Sequence, residues 1–378
     1  MKDRSIETEA VHAGRGADAP KGRPSATPIY TASTYEFDSM ADSDAVFAGE
    51  LEDYIYVRQG NPTVDALQEA MCVLERGSAA SCFASGMAAL HASFLAAGLR
   101  SGDTVVASKD MYGASLALLD HVFGPFEVKP YLADFSDLES LRNLCENERP
   151  RFLLGETISN PLLKVLDIGE VADIAHAVDA RLIVDSTFAT PYLARPLEDG
   201  ADFVVHSATK YLGGHGDAIG GVVVVRDAAD ESALTRTMRL VGGIMSVWEA
   251  DRIARGIKTL ALRMERQCAN AAKLAEWLRS REEVATVHYP NLGAIVSLVL
   301  ADDSREAAWR FMNALKMCVR ATTLGDVHTS VSHSASSSHR EFAEERRREL
   351  GIADGLVRVS VGIENIDDII ADVEQALR

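Results

Sequence analysis

A short apolar run, Ala201-Asp202-Phe203-Val204-Val205, ends in His206-Ser207-Ala208-Thr209-Lys210 and then breaks into glycines. An ammonium at the end of a buried strand is costly unless it is paired or loses its charge. A lysine that loses its charge is a nucleophile able to form a Schiff base. The bland reading of Lys210 is a surface lysine with its stem laid along apolar surface. Ser207 and Thr209 flank it. Alternate residues of an extended segment face one way, so both hydroxyls can meet one phosphate while Lys210 points elsewhere.

Three further groups fall where strands give way to turns, the place where ligands of open α/β sheets bind. "FASGMAA" puts Ser85, Gly86 and Met87 at a strand-to-helix turn, where free amides and the helix dipole suit a phosphate. "LIVDST" ends in Asp185. A magnesium-binding aspartate of a nucleotide hydrolase would need G-x-x-x-x-G-K-[ST], and the chain has no such match. An aspartate there can instead keep a pyridinium nitrogen protonated. "KDMYGAS" places Tyr112 between a strand and a helix, where an aromatic can stack on a flat ring. Taken singly, these are a tight turn, a solvated acid and a packed tyrosine. Taken together they fit a flat, phosphate-bearing aldehyde: pyridoxal 5′-phosphate. No metal site is read from the sequence.

Such groups must be held by strands that alternate with helices. "AASCFA", "DTVVAS", "FEVKPY", "RFLLGE", "RLIVDS", "DFVVHS" and "GGVVVV" are strand candidates. Helical patterns such as "NPTVDALQEAMCVLERG", "SDLESLRNLCEN" and "IGEVADIAHAVDA" separate most of them. The first has Pro62 near its start and Gly77 past its end. This alternation predicts a mostly parallel sheet covered on both faces. Residues 1–60 read as an extended arm that lies on something, often another subunit. A boundary falls near residue 245. Beyond it, a long helical stretch from Trp248 to about Arg281 leads into an α+β tail with strands "VATVHY", "AIVSLVL" and "LVRVSV". "TSVSHSASSSH" reads as a flexible loop or a low-complexity insert.

The bulk numbers narrow the class. With 378 residues, 47% hydrophobic and 25% charged, the chain has core enough without staples. A net charge of −18 argues against a nucleic-acid partner. No apolar run approaches a membrane span, and "MKDRSIETEAVHAGRG" has no apolar signal region. Five scattered cysteines read as reduced thiols, so a cytoplasmic protein is expected.

"SATKYLGGHGD", with "YVRQGNPT", "SGMAA", "VDSTFATPYLARPLEDGAD", "RGIKTLALRME" and "LVRVSVGIENIDDIIADVEQAL", resembles the PLP-dependent Cys/Met-metabolism (trans-sulfuration) enzymes over nearly the whole chain. The likeness is strongest to their methionine and cystathionine γ-lyase branch. It implies the PLP-dependent transferase fold of aspartate aminotransferase type I: an arm (1–60), a PLP-binding domain (61–245) with a mostly parallel seven-stranded sheet, and a smaller α+β domain (246–378). Lys210 would carry the Schiff base, Asp185 would pair with the ring nitrogen and Tyr112 would stack on the ring. Ser85, Gly86, Met87, Ser207 and Thr209 would hold the phosphate, with Asn160 and Glu156 near the ring. Tyr56 and Arg58 would reach the cofactor of a neighbouring subunit, and Tyr56 would also line the substrate site. Arg358, assisted by the Thr323 region, would take the substrate carboxylate. A homotetramer, a dimer of dimers with shared active sites, is implied, acting on a small sulfur amino acid.

The resemblance implies a lyase that eliminates the γ-substituent. The alternative is γ-replacement, by an O-acyl-homoserine sulfhydrylase or a cystathionine γ-synthase. A non-catalytic protein on this fold is disfavoured by intact Lys210, Asp185 and Tyr112. Several positions depart from the family. Ala114 stands where the methionine lyases usually have Cys, and Ala117 where cystathionine-handling relatives usually have Arg. His328 replaces an acid, Ser334 replaces a proline, and the segment after Pro290 is shortened.

Overall fold

Seven of the apolar runs form one sheet in the computed structural model, which describes Gly22, residues 24–340 and residues 342–378. The strands are β1 (Ala79–Phe83), β2 (Thr104–Ser108), β3 (Lys129–Ala133), β4 (Phe152–Glu156), β5 (Arg181–Asp185), β6 (Phe203–Ser207) and β7 (Gly221–Val225). Their order is β1-β7-β6-β5-β4-β2-β3, and only β7 runs antiparallel to its neighbours. The expected α/β sheet is therefore present. β3 starts later than its sequence suggests, because Gly124–Phe126 forms a helical turn and Glu127 takes a left-handed φ of 65°.

Alternation along the strands builds two cores. Leu182 and Val184 of β5 face Leu67, Met71 and Ile253 in one, while Ile183 faces Phe94 and Phe203 in the other. The first helix after the arm, Pro62–Glu75, begins as expected, with Asn61 capping Thr63 N and proline in the first turn. Its left-handed end residue is Arg76, at φ 59°, ahead of Gly77.

The expected long helix from Trp248 is two, Val247–Ile257 and Leu260–Leu278. The break lies where Gly256 packs on the carbonyls of Leu212 and Gly213, so the chain that carries Lys210 presses on the joint. The second helix serves two cores. Leu260 and Met264 pack under the large sheet, and Ala271, Leu274 and Leu278 pack on a second one.

That second sheet contains β8 (Val284–His288), β9 (Ile295–Leu300), β10 (Val319–Arg320), β11 (Ser330–His333) and β12 (Leu356–Ser360), in the order β10-β11-β12-β9-β8. β8 and β9 are joined directly by residues 289–294, so the shortened segment after Pro290 is an antiparallel hairpin. The serine-rich segment is ordered structure. Ser330–His333 is a buried strand and Ser334–Ser336 a helical turn, held by Ser337 Oγ donating to the His333 carbonyl (2.8 Å) and by Ser336 Oγ on His333 Nδ1 (2.7 Å). Of the arm, residues 1–21 and 23 lie outside the described residues. The rest is irregular except for the helix Met40–Ala48, which buries no residue, and an isolated bridge between Thr34 and Tyr56.

Candidate active site

Parallel strands place their last residues along one edge. Register sets Glu156 of β4 beside Asp185 of β5, and Asp185 beside Val205 of β6, two residues before Ser207. A cavity of about 540 Å³ opens there. It is lined by Ser85, Gly86, Met87, Tyr112, Glu156, Asn160, Asp185, Ser207, Thr209, Lys210 and Arg358. Eleven of the residues singled out from sequence thus meet in one place.

Ser85 caps the helix Gly86–Ala96, its Oγ accepting from Ala88 N at 3.1 Å. The amides of Gly86 and Met87 open that helix with no acceptor within it, and both residues line the cavity. Gly86 must lack a side chain, since a Cβ there would lie 2.8 Å from the Cβ of Ser207. The expected alternation of Ser207 and Thr209 does not occur. β6 ends at Ser207 and the chain turns, with Lys210 N donating to the Ser207 carbonyl at 3.1 Å. Lys210 therefore lines the same cavity as the two hydroxyls instead of pointing away. Thr209 Oγ1 is engaged with Gly220, accepting from its amide (3.0 Å) and facing its carbonyl (3.2 Å).

Burial governs the charges. It lowers the pKa of the Lys210 ammonium, helped by the Arg358 guanidinium, while the Asp326 carboxylate opposes the shift. It raises the Asp185 carboxyl, against hydrogen bonds from Thr187, and raises Glu156 well above its ordinary value, with Asp185 adding to the effect. Asp185 Oδ1 accepts from Thr187 N at 2.9 Å, and Thr187 Oγ1 accepts from Ser207 N at 2.8 Å. Thr187 thus ties the acid to the phosphate-side strand, a link with no signature in the sequence. Glu156 Oε1 accepts from Tyr112 N at 2.9 Å and fixes the backbone that presents the ring.

Arg358 comes from β12 of the second sheet. Nη1 donates to Asn160 Oδ1 and Nη2 to the Thr323 carbonyl, each at 3.0 Å, and Nε has no partner. Thr323 thus contributes a carbonyl, and its neighbour Thr322 lines the cavity. Burial pulls the Arg358 pKa down to about 10, which leaves it protonated at neutral pH. Ser115, Ser332, Ser337 and Ser338 also line the cavity. Gly113 is required here, because the Ser338 carbonyl of the serine-rich strap sits 2.6 Å from where its Cβ would be.

Tyr56 and Arg58 do not line this cavity. Arg58 lies on a second cavity, its guanidinium over the Tyr56 ring at 5.7 Å. His328 is half exposed, 3.9 Å from the Asp326 carboxylate, and outside the main cavity.

The donor set fits pyridoxal phosphate. A half-buried amine, a half-buried carboxyl, a helix N-terminus cleared by glycine and a guanidinium with a free N–H converge on one space. Among known proteins, the chain is similar to the L-methionine γ-lyase of Fusobacterium nucleatum, 41% identical over all of this chain and 99% of the relative. It is similar to the cystathionine β-lyase of Lactococcus lactis subsp. cremoris, at 38% identity over 99% of each. Its fold matches the cystathionine γ-synthase of Xanthomonas oryzae pv. oryzae with a TM-score of 0.88, at 34% identity over 99% of this chain and 98% of that one. The model of the Cys/Met metabolism PLP-dependent enzymes matches residues 7–378, and the chain belongs to that family, with pyridoxal 5′-phosphate as its cofactor.

Proposed function

We propose that the enzyme is a carbon–sulfur lyase that removes the γ-substituent of a sulfur amino acid such as methionine, releasing a thiol, a 2-oxo acid and ammonia. The observation that carries this reading is the convergence of Lys210, Asp185, Tyr112 and Arg358 on one cavity in a chain so similar to methionine γ-lyases. Bound pyridoxal phosphate supplies the electron sink that makes Cα acidic.

The residues of the chain do the rest. Arg358 takes the substrate carboxylate, held in place by Asn160 and the Thr323 carbonyl. Asp185 keeps a proton on the ring nitrogen, oriented by Thr187. Ser85, Gly86, Met87, Ser207 and Thr209 hold the phosphate, and Glu156 and Asn160 border the ring. Lys210, its ammonium pKa lowered by burial, takes the proton from Cα and serves Cβ in turn. Tyr112 stacks on the ring and hands a proton to the departing sulfur. The Ser338 strap packs against Gly113, the residue after Tyr112.

The same reading makes the active site a shared one. Tyr56 and Arg58, which do not line their own chain's cavity, reach the cofactor phosphate of a neighbour, with Tyr56 also bordering its substrate, in a homotetramer built as a dimer of dimers. It divides the chain into an arm (1–60), a cofactor domain (61–245) and a small domain (246–378), and it makes the enzyme cytoplasmic. No helix among the described residues is long and apolar enough to cross a membrane.

A γ-replacement reading draws on the likeness to a cystathionine γ-synthase, since both reactions need the same proton transfers at Cα and Cβ. Incubation with methionine, and separately with O-acetylhomoserine with and without added thiol, tests the choice. Four-carbon 2-oxo acid and thiol from methionine alone support elimination. Product formed only when a second thiol is present assigns replacement instead.

A further inference from the structure

Three residues share one row across the small sheet. Ser332 of β11 stands opposite Arg358 of β12, and Arg358 stands opposite Ser297 of β9, with antiparallel pairing on both sides. Their neighbours along the strands, Val331, Val357, Val359, Val296 and Leu298, pack in the core behind that sheet. Strand alternation therefore turns the side chains of the row to the other face. There Arg358 meets Asn160, and Ser297 Oγ donates to the Pro161 carbonyl at 2.7 Å.

The two serines beside Arg358 differ. Ser297 is fully buried, and its bond to Pro161 anchors the loop that carries Asn160. Ser332 is 6% exposed and lines the cavity, and its hydroxyl has no hydrogen-bond partner among the described residues. Arg358 Nε is buried and has no partner either, whereas both other guanidinium nitrogens are engaged. Directly opposed side chains of an antiparallel pair start about 5 Å apart at Cβ. The unpaired N–H and the unpaired hydroxyl thus sit on neighbouring side chains of one face. A buried donor of a charged group left without an acceptor costs free energy. A hydroxyl can accept one hydrogen bond and donate another at the same time.

We propose that Ser332 is a further residue of the substrate site: its hydroxyl accepts from Arg358 Nε and donates to the carboxylate of the amino acid. The proposal rests on the reading of Arg358 as the partner of that carboxylate. Asn160 and the Thr323 carbonyl hold the two amino groups of the guanidinium, and Ser332 holds the third nitrogen. Serine has a single staggered torsion to set, so its hydroxyl turns from the cavity to the arginine without moving the strand. The hydroxyl proton is then left for the cavity, where an ionised acceptor takes it in a charge-assisted bond.

The test uses the cofactor-loaded enzyme and two ligands that differ in the carboxylate alone. L-Norleucine has the length of methionine and no leaving group at Cγ, and n-pentylamine is the same chain without the carboxylate. Their dissociation constants are read by titrating the visible band of lysine-bound cofactor. Ser332→Ala is expected to lower the preference for norleucine over pentylamine about tenfold, the worth of a hydrogen bond to a charged group, and to leave pentylamine binding unchanged. Ser332→Thr keeps the hydroxyl and should keep most of the preference. An unchanged preference in Ser332→Ala overturns the proposal. An equal loss for both ligands, or equal losses of preference in the alanine and threonine variants, overturns it as well, because the effect is then one of packing. Arg358→Lys judges the reading underneath. If it lowers the preference while Ser332→Ala does not, the serine alone is wrongly assigned. If Arg358→Lys leaves the preference unchanged, the carboxylate is held elsewhere and both assignments fall.

Discussion

Arg358 Nη1 donates to Asn160 Oδ1 at 3.0 Å, joining a strand of the small sheet to the loop that follows β4 of the large one. The bond spans 198 residues of sequence and holds the guanidinium on the cavity that Lys210 also lines. The second amino group is held by the Thr323 carbonyl, so the fork is oriented before substrate arrives. Lysine has one point charge and cannot keep both contacts while meeting a carboxylate with two. Arg358→Lys is expected to raise KM about tenfold or more, with a smaller fall in kcat. Steady-state kinetics on methionine measures both, and an unchanged KM would show that the carboxylate is held elsewhere.

Gly86 touches the backbone of Ser207 through the space its missing Cβ leaves. Gly86→Ala brings a carbon to 3.0 Å from Ser207 Cα, so β6 or the helix must shift. Overpacking of this kind costs about 1–3 kcal/mol. The cofactor dissociation constant is expected to rise about tenfold or more, measured by titrating apoprotein with pyridoxal phosphate. Unchanged affinity would remove this turn from the phosphate site.

His339 ends the serine-rich strap, its Nδ1 2.9 Å from Ser338 Oγ, and burial pushes its pKa down to about 4, with the Arg358 charge adding to the shift. In the unfolded chain it would bind a proton near pH 6.5. Between those values the unfolded state holds more protons, so stability falls as pH falls from about 6.5 to about 4. The full effect is about 3 kcal/mol from this residue. Urea unfolding at a series of pH values should show His339→Gln losing less stability than wild type across that window. Parallel slopes would mean that the histidine titrates normally.

Glu75 and His206 form a fully buried pair at 2.6 Å, linking the end of the helix Pro62–Glu75 to the strand residue just before Ser207. Their other polar atoms, Glu75 Oε2 and His206 Nδ1, have no partner. Removing one member leaves the other stranded in the core, which costs about 3–5 kcal/mol. Glu75→Leu and His206→Phe should each destabilise strongly, and the double variant by clearly less than their sum. Additive losses in denaturant unfolding would contradict the coupling.

All seven strands of the large sheet were readable because each is a short apolar run bounded by turn residues, and helices separate all but β6 and β7. Lys210, Asp185, Gly86 and Tyr112 were readable because parallel strands deliver their ends to one edge. β11 was not. Of its residues, Ser330-Val331-Ser332-His333, only Val331 is apolar, and the rest are buried by pairing with β12 and by bonds of the strap to itself and to Asp354. Thr187 was also hidden, since its contacts with Asp185 and Ser207 depend on how two loops meet. The direction of Lys210 departs from strand alternation for a related reason. Alternation holds only while the chain stays extended, and it turns directly after Ser207.

Reduction of the loaded enzyme with borohydride, followed by peptide mapping, tests the central claim most directly. The account places the amine that holds the cofactor at Lys210, so the pyridoxyl mass should appear on the peptide containing His206-Ser-Ala-Thr-Lys210. Lys210→Ala should remain folded, take no label there and lose the visible band and turnover. A label on any other lysine, or turnover retained by Lys210→Ala, would contradict the account.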